Sequence, residues 1–95
     1  MADIAVTPQS SGQSGHYLVE VRSGNVTTTH DVHVPSGLAE QLGCPGAGDL
    51  DLVEASFRYL LEREPNTSIL RSFSLDEIGS YFPGWSSEMP GRLGT

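Results

Sequence analysis

The sequence predicts an α+β domain in which an N-terminal β-hairpin, about 16–34, feeds a main helix, about 50–64, and two short C-terminal helices, about 67–73 and 75–82. Three observations carry this expectation. Apolar and polar residues alternate on both sides of Gly24-Asn25, Ser74-Leu75-Asp76-Glu77 has the form of a capping box, and Pro35, Pro65 and Pro83 stand where elements should stop. The expected domain covers 16–85, with 1–15 and 86–95 as flexible tails.

Residues 1–15 combine a short apolar start with a Pro, Gln, Ser and Gly run that buries too little surface to offset its ordering entropy. Ile4-Ala5-Val6 is the one stretch there able to add an edge strand. From His16 the period becomes two: Tyr17, Val19 and Val21 alternate before Gly24-Asn25, and Val26, Thr28, His30, Val32 and Val34 after it. A two-residue turn at Gly24-Asn25 sets Ser23 opposite Val26, Val21 opposite Thr28, Val19 opposite His30 and Tyr17 opposite Val32. Both alternations then share one face, and a one-residue slip would send one strand's valines to solvent.

Pro35 stops the second strand, and 36–42 suits one or two helical turns with Leu38 and Leu42 at i, i+4. After the breaker-rich loop 43–48, Asp51 with Glu54 three residues on fits an acidic N-cap, and Asp49 is the alternative cap. The main helix should bury Leu50, Val53, Phe57, Leu60 and Leu61 and expose an Arg58, Glu62 pair, ending before Pro65. Ile69, Leu70 and Phe73 lie on one side of the next short helix. The capping box opens the last, with Leu75, Ile78, Tyr81 and Phe82 as its apolar run, and Trp85 should fold back as a lid.

The formal net charge of -7 comes from twelve carboxylates against five basic residues, all arginine. Phosphate backbones are bound through cations, so this balance argues against autonomous binding to nucleic acid or an anionic membrane. The absence of lysine excludes a lysine Schiff base and a Walker-type phosphate loop. Residues 1–11 lack the basic and apolar regions of a signal peptide, and the one cysteine, Cys44, cannot form an internal disulfide. A soluble, cytoplasmic protein is expected.

Candidate chemistry is sparse. In the hairpin register His16 faces His33, with Asp31 next but one on the same face, and His, His and Asp form a usable set of metal ligands. The same placement also describes a solvent-exposed cross-strand pair, and no third firm ligand with its own support is readable. His30 falls on the core face, where a hydrogen-bonded buried histidine is expected. Cys44 has no histidine near it in sequence, the serines show no nucleophile elbow, and no cofactor fingerprint is present, so neither catalysis nor a cofactor is expected. The 75–79 stretch looks like the first helix of a helix-turn-helix, but Pro83-Gly84-Trp85 follows where a recognition helix should be.

Phe57 to Pro65 (Phe-Arg-Tyr-Leu-Leu-Glu-Arg-Glu-Pro), followed by Ser68 to Phe73 and by Ile78 to Phe82-Pro83, resembles a family of small bacterial proteins with a Leu-Leu-Glu-Arg-Glu-Pro helix and a Tyr-Phe-Pro ending. The resemblance covers about 16–85 and implies an architecture, a strand pair ahead of the helix, without an activity. The lysine-free, Gly-rich composition is of the actinobacterial type. Arg63, Glu64 and Arg71 are readable as an ion-pair bracket around the Pro65 turn or as binding residues.

The expected function is that of an accessory or interaction protein acting through self-association or partner docking. Open hairpin edges and the aromatic set Tyr81, Phe82 and Trp85 are the surfaces for it, with Arg63 and Arg71 beside them. The alternative from another class is a small-ligand or metal-binding protein using His16, Asp31 and His33.

Overall fold

The computed structural model describes residues 3–8, 15–44, 46 and 48–93. Strands β1 (Asp3–Pro8), β2 (His16–Ser23), β3 (Val26–His33) and β4 (Ser72–Ser74) form one sheet in the order β1-β2-β3-β4. Helices α1 (Leu38–Gln41), α2 (Asp49–Leu61), α3 (Ile78–Tyr81) and α4 (Trp85–Arg92) complete an α+β fold. Among the described residues no helix is long and apolar enough to cross a membrane.

The β2–β3 hairpin has the register its alternation requires, with Val19 opposite His30, Val21 opposite Thr28 and Ser23 opposite Val26. Gly24 alone takes a positive φ, 61°, while Asn25 does not, which is the φ signature of a type II′ turn. One face carries the fully buried Val19, Val21, His30 and Val32; the other carries the exposed Leu18, Glu20, Arg22, Thr27, Thr29 and Asp31.

The sheet is wider than a hairpin. Asp3–Pro8, expected within a tail, pairs antiparallel with β2, setting Ile4 beside Val21 and Val6 beside Val19. Two apolar residues two apart reach the core face there, which the polar composition of 9–14 obscured. Residues 9–14 themselves, and the tail ends 1–2 and 94–95, lie outside the described residues.

On the other side, 67–73 is not a helix. A 3-10 turn at Asn66–Ser68 is followed by extended chain, and β4 runs parallel to β3 with Phe73 beside Val32. The unpaired edge of β3 decides this. Asp31 N–H donates to the Arg71 carbonyl at 2.6 Å, so satisfying that edge outweighs the helical spacing of Ile69, Leu70 and Phe73.

Helix α2 spans 49–61 and starts from Gly48, with Asp49 and Asp51 in its first turn rather than at its cap. Asp49 is occupied elsewhere: Tyr17 Oη donates to its carboxylate at 2.8 Å, tying β2 to the helix start. The buried stripe includes Val53, Phe57 and Leu60 as expected but is rotated toward Leu52, Ser56 and Tyr59, and Leu50 is exposed. The rotation has a cause in 86–93. Expected as a tail, this stretch joins Trp85 in α4, whose Trp85 and Met89 bury against α2. Trp85 Nε1 donates to Ser56 Oγ at 3.0 Å, and Ser56 Oγ donates to Met89 Sδ at 3.6 Å.

The capping box at Ser74 forms, with Ser74 N–H donating to a Glu77 carboxylate oxygen at 2.7 Å. It opens a 3-10 turn, Leu75–Glu77, that continues into α3.

Candidate functional site

A groove of about 220 Å³ opens between the end of α2, the 68–73 segment and α3. Leu60, Ile69, Phe73 and Ile78, all buried, form its floor. Its walls are unusual for their exposure: Leu70 is 51% and Tyr81 66% accessible. The ionisable groups on its lining are Glu64, Glu77 and the Tyr81 phenol, so both charged side chains are carboxylates. They come from separate elements, Glu64 from beyond α2 and Glu77 from the capped turn. Phe82 lies at one end, half-buried and edge-on to Tyr59 with ring centroids 6.1 Å apart.

Two of the five residues singled out for interaction therefore line the groove, Tyr81 and Phe82. Trp85 is buried, and its indole N–H is spent on Ser56. Arg63 stands with its guanidinium 3.6 Å from the centre of the Tyr59 ring, donates to the Tyr59 carbonyl at 3.1 Å and pairs with Glu88 at 3.1 Å. Arg92 pairs with Glu62 at 2.7 Å and Glu88 at 3.2 Å. The ion pairs therefore clamp α4 onto α2 instead of bracketing Pro65. Arg92 holds the Glu62 carboxyl below its usual range, and Glu62 raises Arg92 in return. Arg58 pairs back to Glu54 at 3.1 Å, not forward to Glu62. Arg71 is exposed, and its charge is felt at His30.

Sequence reasoning missed Leu70, Glu64 and Glu77 as a group. A helix over 67–73 would set Leu70 on the same side as Ile69 and Phe73, and its exposure follows from the change of that segment to extended chain.

The hairpin histidines meet as their register requires. His16 and His33 pair across the strands with ring centroids 4.8 Å apart and planes tilted by 39°. His33 Nδ1 is buried without a hydrogen-bond partner among the described residues. Asp31 remains two residues along, and no group of three or more His, Cys, Asp or Glu among the described residues is placed to hold a metal ion. Among the described residues the fold therefore brings the two imidazoles together without a third His, Cys, Asp or Glu beside them.

His30 is buried and wired on both ring nitrogens. Nδ1 lies 2.7 Å from the Leu70 carbonyl, which only accepts, so Nδ1 carries the proton. Nε2 then accepts from Thr28 Oγ1 at 2.9 Å, and Thr28 in turn accepts from the buried Asn66 amide at 3.0 Å. Burial lowers the His30 pKa, the Leu70 carbonyl opposes this, and Arg71 adds to the lowering. This histidine is a neutral structural group that holds the 66–70 segment, and with it the groove wall, to the sheet. Cys44 is likewise buried, with its thiol 3.7 Å from the Leu42 carbonyl.

No family model, curated protein or solved structure matches this chain.

Proposed function

We propose that the protein is a small adaptor that captures a polypeptide segment carrying a bulky apolar side chain flanked by Lys or Arg. The observation that carries this reading is the exposure of Tyr81 and Leu70 over an apolar floor whose charged lining groups are both carboxylates. The volume is below the roughly 300–1,000 Å³ of sites for whole small molecules, which favours one or two anchoring side chains. An exposed tyrosine of this kind is a common interface anchor and offers its ring face to a cation. The net charge of -7 favours a cationic partner over a phosphate backbone. The free, buried thiol of Cys44 supports a reducing, cytoplasmic setting.

A fluorescein-labelled peptide with a Leu-Phe pair between lysines is the test probe, and a glutamate-flanked counterpart is the control. Polarisation is expected to show saturable binding of the first only, weaker at high salt. Tyr81→Ser should weaken it by about tenfold, the scale of an anchor residue worth about 1.4 kcal/mol. The double variant E64Q/E77Q keeps the cap, because glutamine serves at that position, and should abolish the preference between the peptides. Equal binding of both peptides by the parent protein, or no effect of Tyr81→Ser, would overturn the reading.

A further inference from the structure

The groove lies at the β4 end of the sheet; the opposite edge is β1, and its backbone can be oriented from the register alone. In a hairpin closed by a two-residue turn, the residues flanking the turn form a hydrogen-bonded pair, and such pairs recur every second residue. Ser23, Val21, Val19 and Tyr17 therefore direct their N–H and C=O groups at β3. The same alternation directs Thr27, Thr29, Asp31 and His33 of β3 away from β2, and the Asp31 N–H bond to Arg71 on the β4 side agrees with it. Arg22, Glu20 and Leu18 must then direct theirs at β1, where they meet Asp3, Ala5 and Thr7. What remains on β1 is the outward set: Ile4 and Val6 direct both N–H and C=O away from β2, Pro8 directs a carbonyl without an N–H, and no strand lies beyond them among the described residues.

We infer that this edge pairs with the same edge of a second copy, antiparallel about a twofold axis through Ala5. That centre sets Ile4 against Val6 of the partner and Val6 against Ile4 of the partner, each as a hydrogen-bonded pair, so the N–H and C=O groups of Ile4 and Val6 are all used in each copy. A centre on Val6 would set Ile4 against Pro8, which has no N–H to give. Side chains agree with the backbone. Ile4 and Val6 are only half-buried on the core face, and pairing joins the two apolar rows across the axis. On the solvent face Asp3 meets Thr7 and Ala5 meets Ala5, so no like charges are opposed. Pro8 limits the length of the pairing, as expected of a closed dimer. The result is a single eight-stranded sheet. Each copy carries a net charge of -7, so association strengthens as salt screens the repulsion.

The axis makes a sharp test possible. Directly opposed residues of a non-hydrogen-bonded pair stand about 4.5 Å apart at Cα, within the roughly 4.4–6.8 Å that a disulfide spans. Ala5→Cys in the full-length chain should therefore cross-link to itself under mild oxidation, while Thr7→Cys, which faces Asp3 of the partner, should not. Light scattering behind a sizing column should give the dimer mass for the parent protein at micromolar concentration. Val6→Pro removes an outward N–H and leaves the β1–β2 ladder intact, and is expected to give a folded monomer. Ala5→Glu opposes two carboxylates across the axis on an exposed position and is expected to do the same if Val6→Pro fails to fold. A parent protein that stays monomeric at high micromolar concentration in high salt overturns the inference. So does a dimer that survives both variants, or one in which Thr7→Cys cross-links as readily as Ala5→Cys. Peptide capture by the groove is read by a different probe and is unaffected by either result.

Discussion

The indole N–H of Trp85 meets the hydroxyl of Ser56 at 3.0 Å inside the interface between α4 and α2. Neither residue reaches solvent, so water cannot replace either partner. Ser56→Ala is expected to strand a buried donor and lower stability by about 1–3 kcal/mol. Trp85 is the only tryptophan, so its emission reports this site directly in a urea titration. An unchanged midpoint in Ser56→Ala would remove the hydrogen bond as a cause of α4 docking.

How far the sequence revealed these elements depended on how local their cause was. The hairpin was fully legible, because both its period and its turn reside in 16–34. Helix α4 was legible in principle: Trp85, Met89 and Leu93 recur every four residues, but Gly84 just before them and Pro90 and Gly91 among them outweighed that spacing. Strands β1 and β4 were not legible with certainty, since a three-residue strand such as Ser72–Ser74 exists only because β3 offers an edge to it. The groove inherits that limit. Tyr81 and Phe82 stood out as aromatics, but Glu64 and Glu77 are thirteen positions apart, and only folding sets them on one lining.

The ion cluster of Arg63 and Arg92 with Glu62 and Glu88 looks substantial by distance, yet its carboxylates are about half exposed. Exposed pairs contribute little individually, so Glu62→Gln is expected to lower the melting temperature only slightly, with the difference shrinking in high salt. Tyr59 makes the two arginines unequal. The guanidinium carbon of Arg63 stands 3.6 Å from the ring centre and that of Arg92 5.4 Å, so Arg63→Ala should cost more than Arg92→Ala in parallel thermal melts. The reverse order would show that the ion pairs, not the ring contact, hold α4.

Gly15 precedes β2 with φ of +85°, and a Cβ at this position would stand 2.7 Å from the Val34 carbonyl oxygen. The chain cannot easily yield there, because Val34 N–H donates to the Gly15 carbonyl at 2.6 Å. Gly15→Ala meets both a left-handed backbone and a clash. The backbone contribution alone is about 1–2 kcal/mol, so the total loss should exceed it in chemical denaturation. A neutral effect would mean that the Gly15–Val34 contact opens freely in solution.

His30 should make stability depend on pH. Its pKa is lowered in the fold, first by burial, so between the folded value and the ordinary value near 6.5 the unfolded chain binds the extra proton. The stabilisation is therefore fully present above about 6.5 and is lost as pH falls through the folded pKa. Unfolding free energy measured in urea from pH 7.5 down to 5 should fall in the parent protein. In His30→Gln it should start lower, by about 1–3 kcal/mol for the disturbed Leu70 and Thr28 hydrogen bonds, and then vary less with pH. His16 and His33 are present in both proteins, so the difference between the two curves isolates His30. Because His30 anchors Leu70, acid should also weaken the proposed peptide capture by the groove before global unfolding begins. Parallel pH curves for the two proteins would show that some other group carries the acid sensitivity.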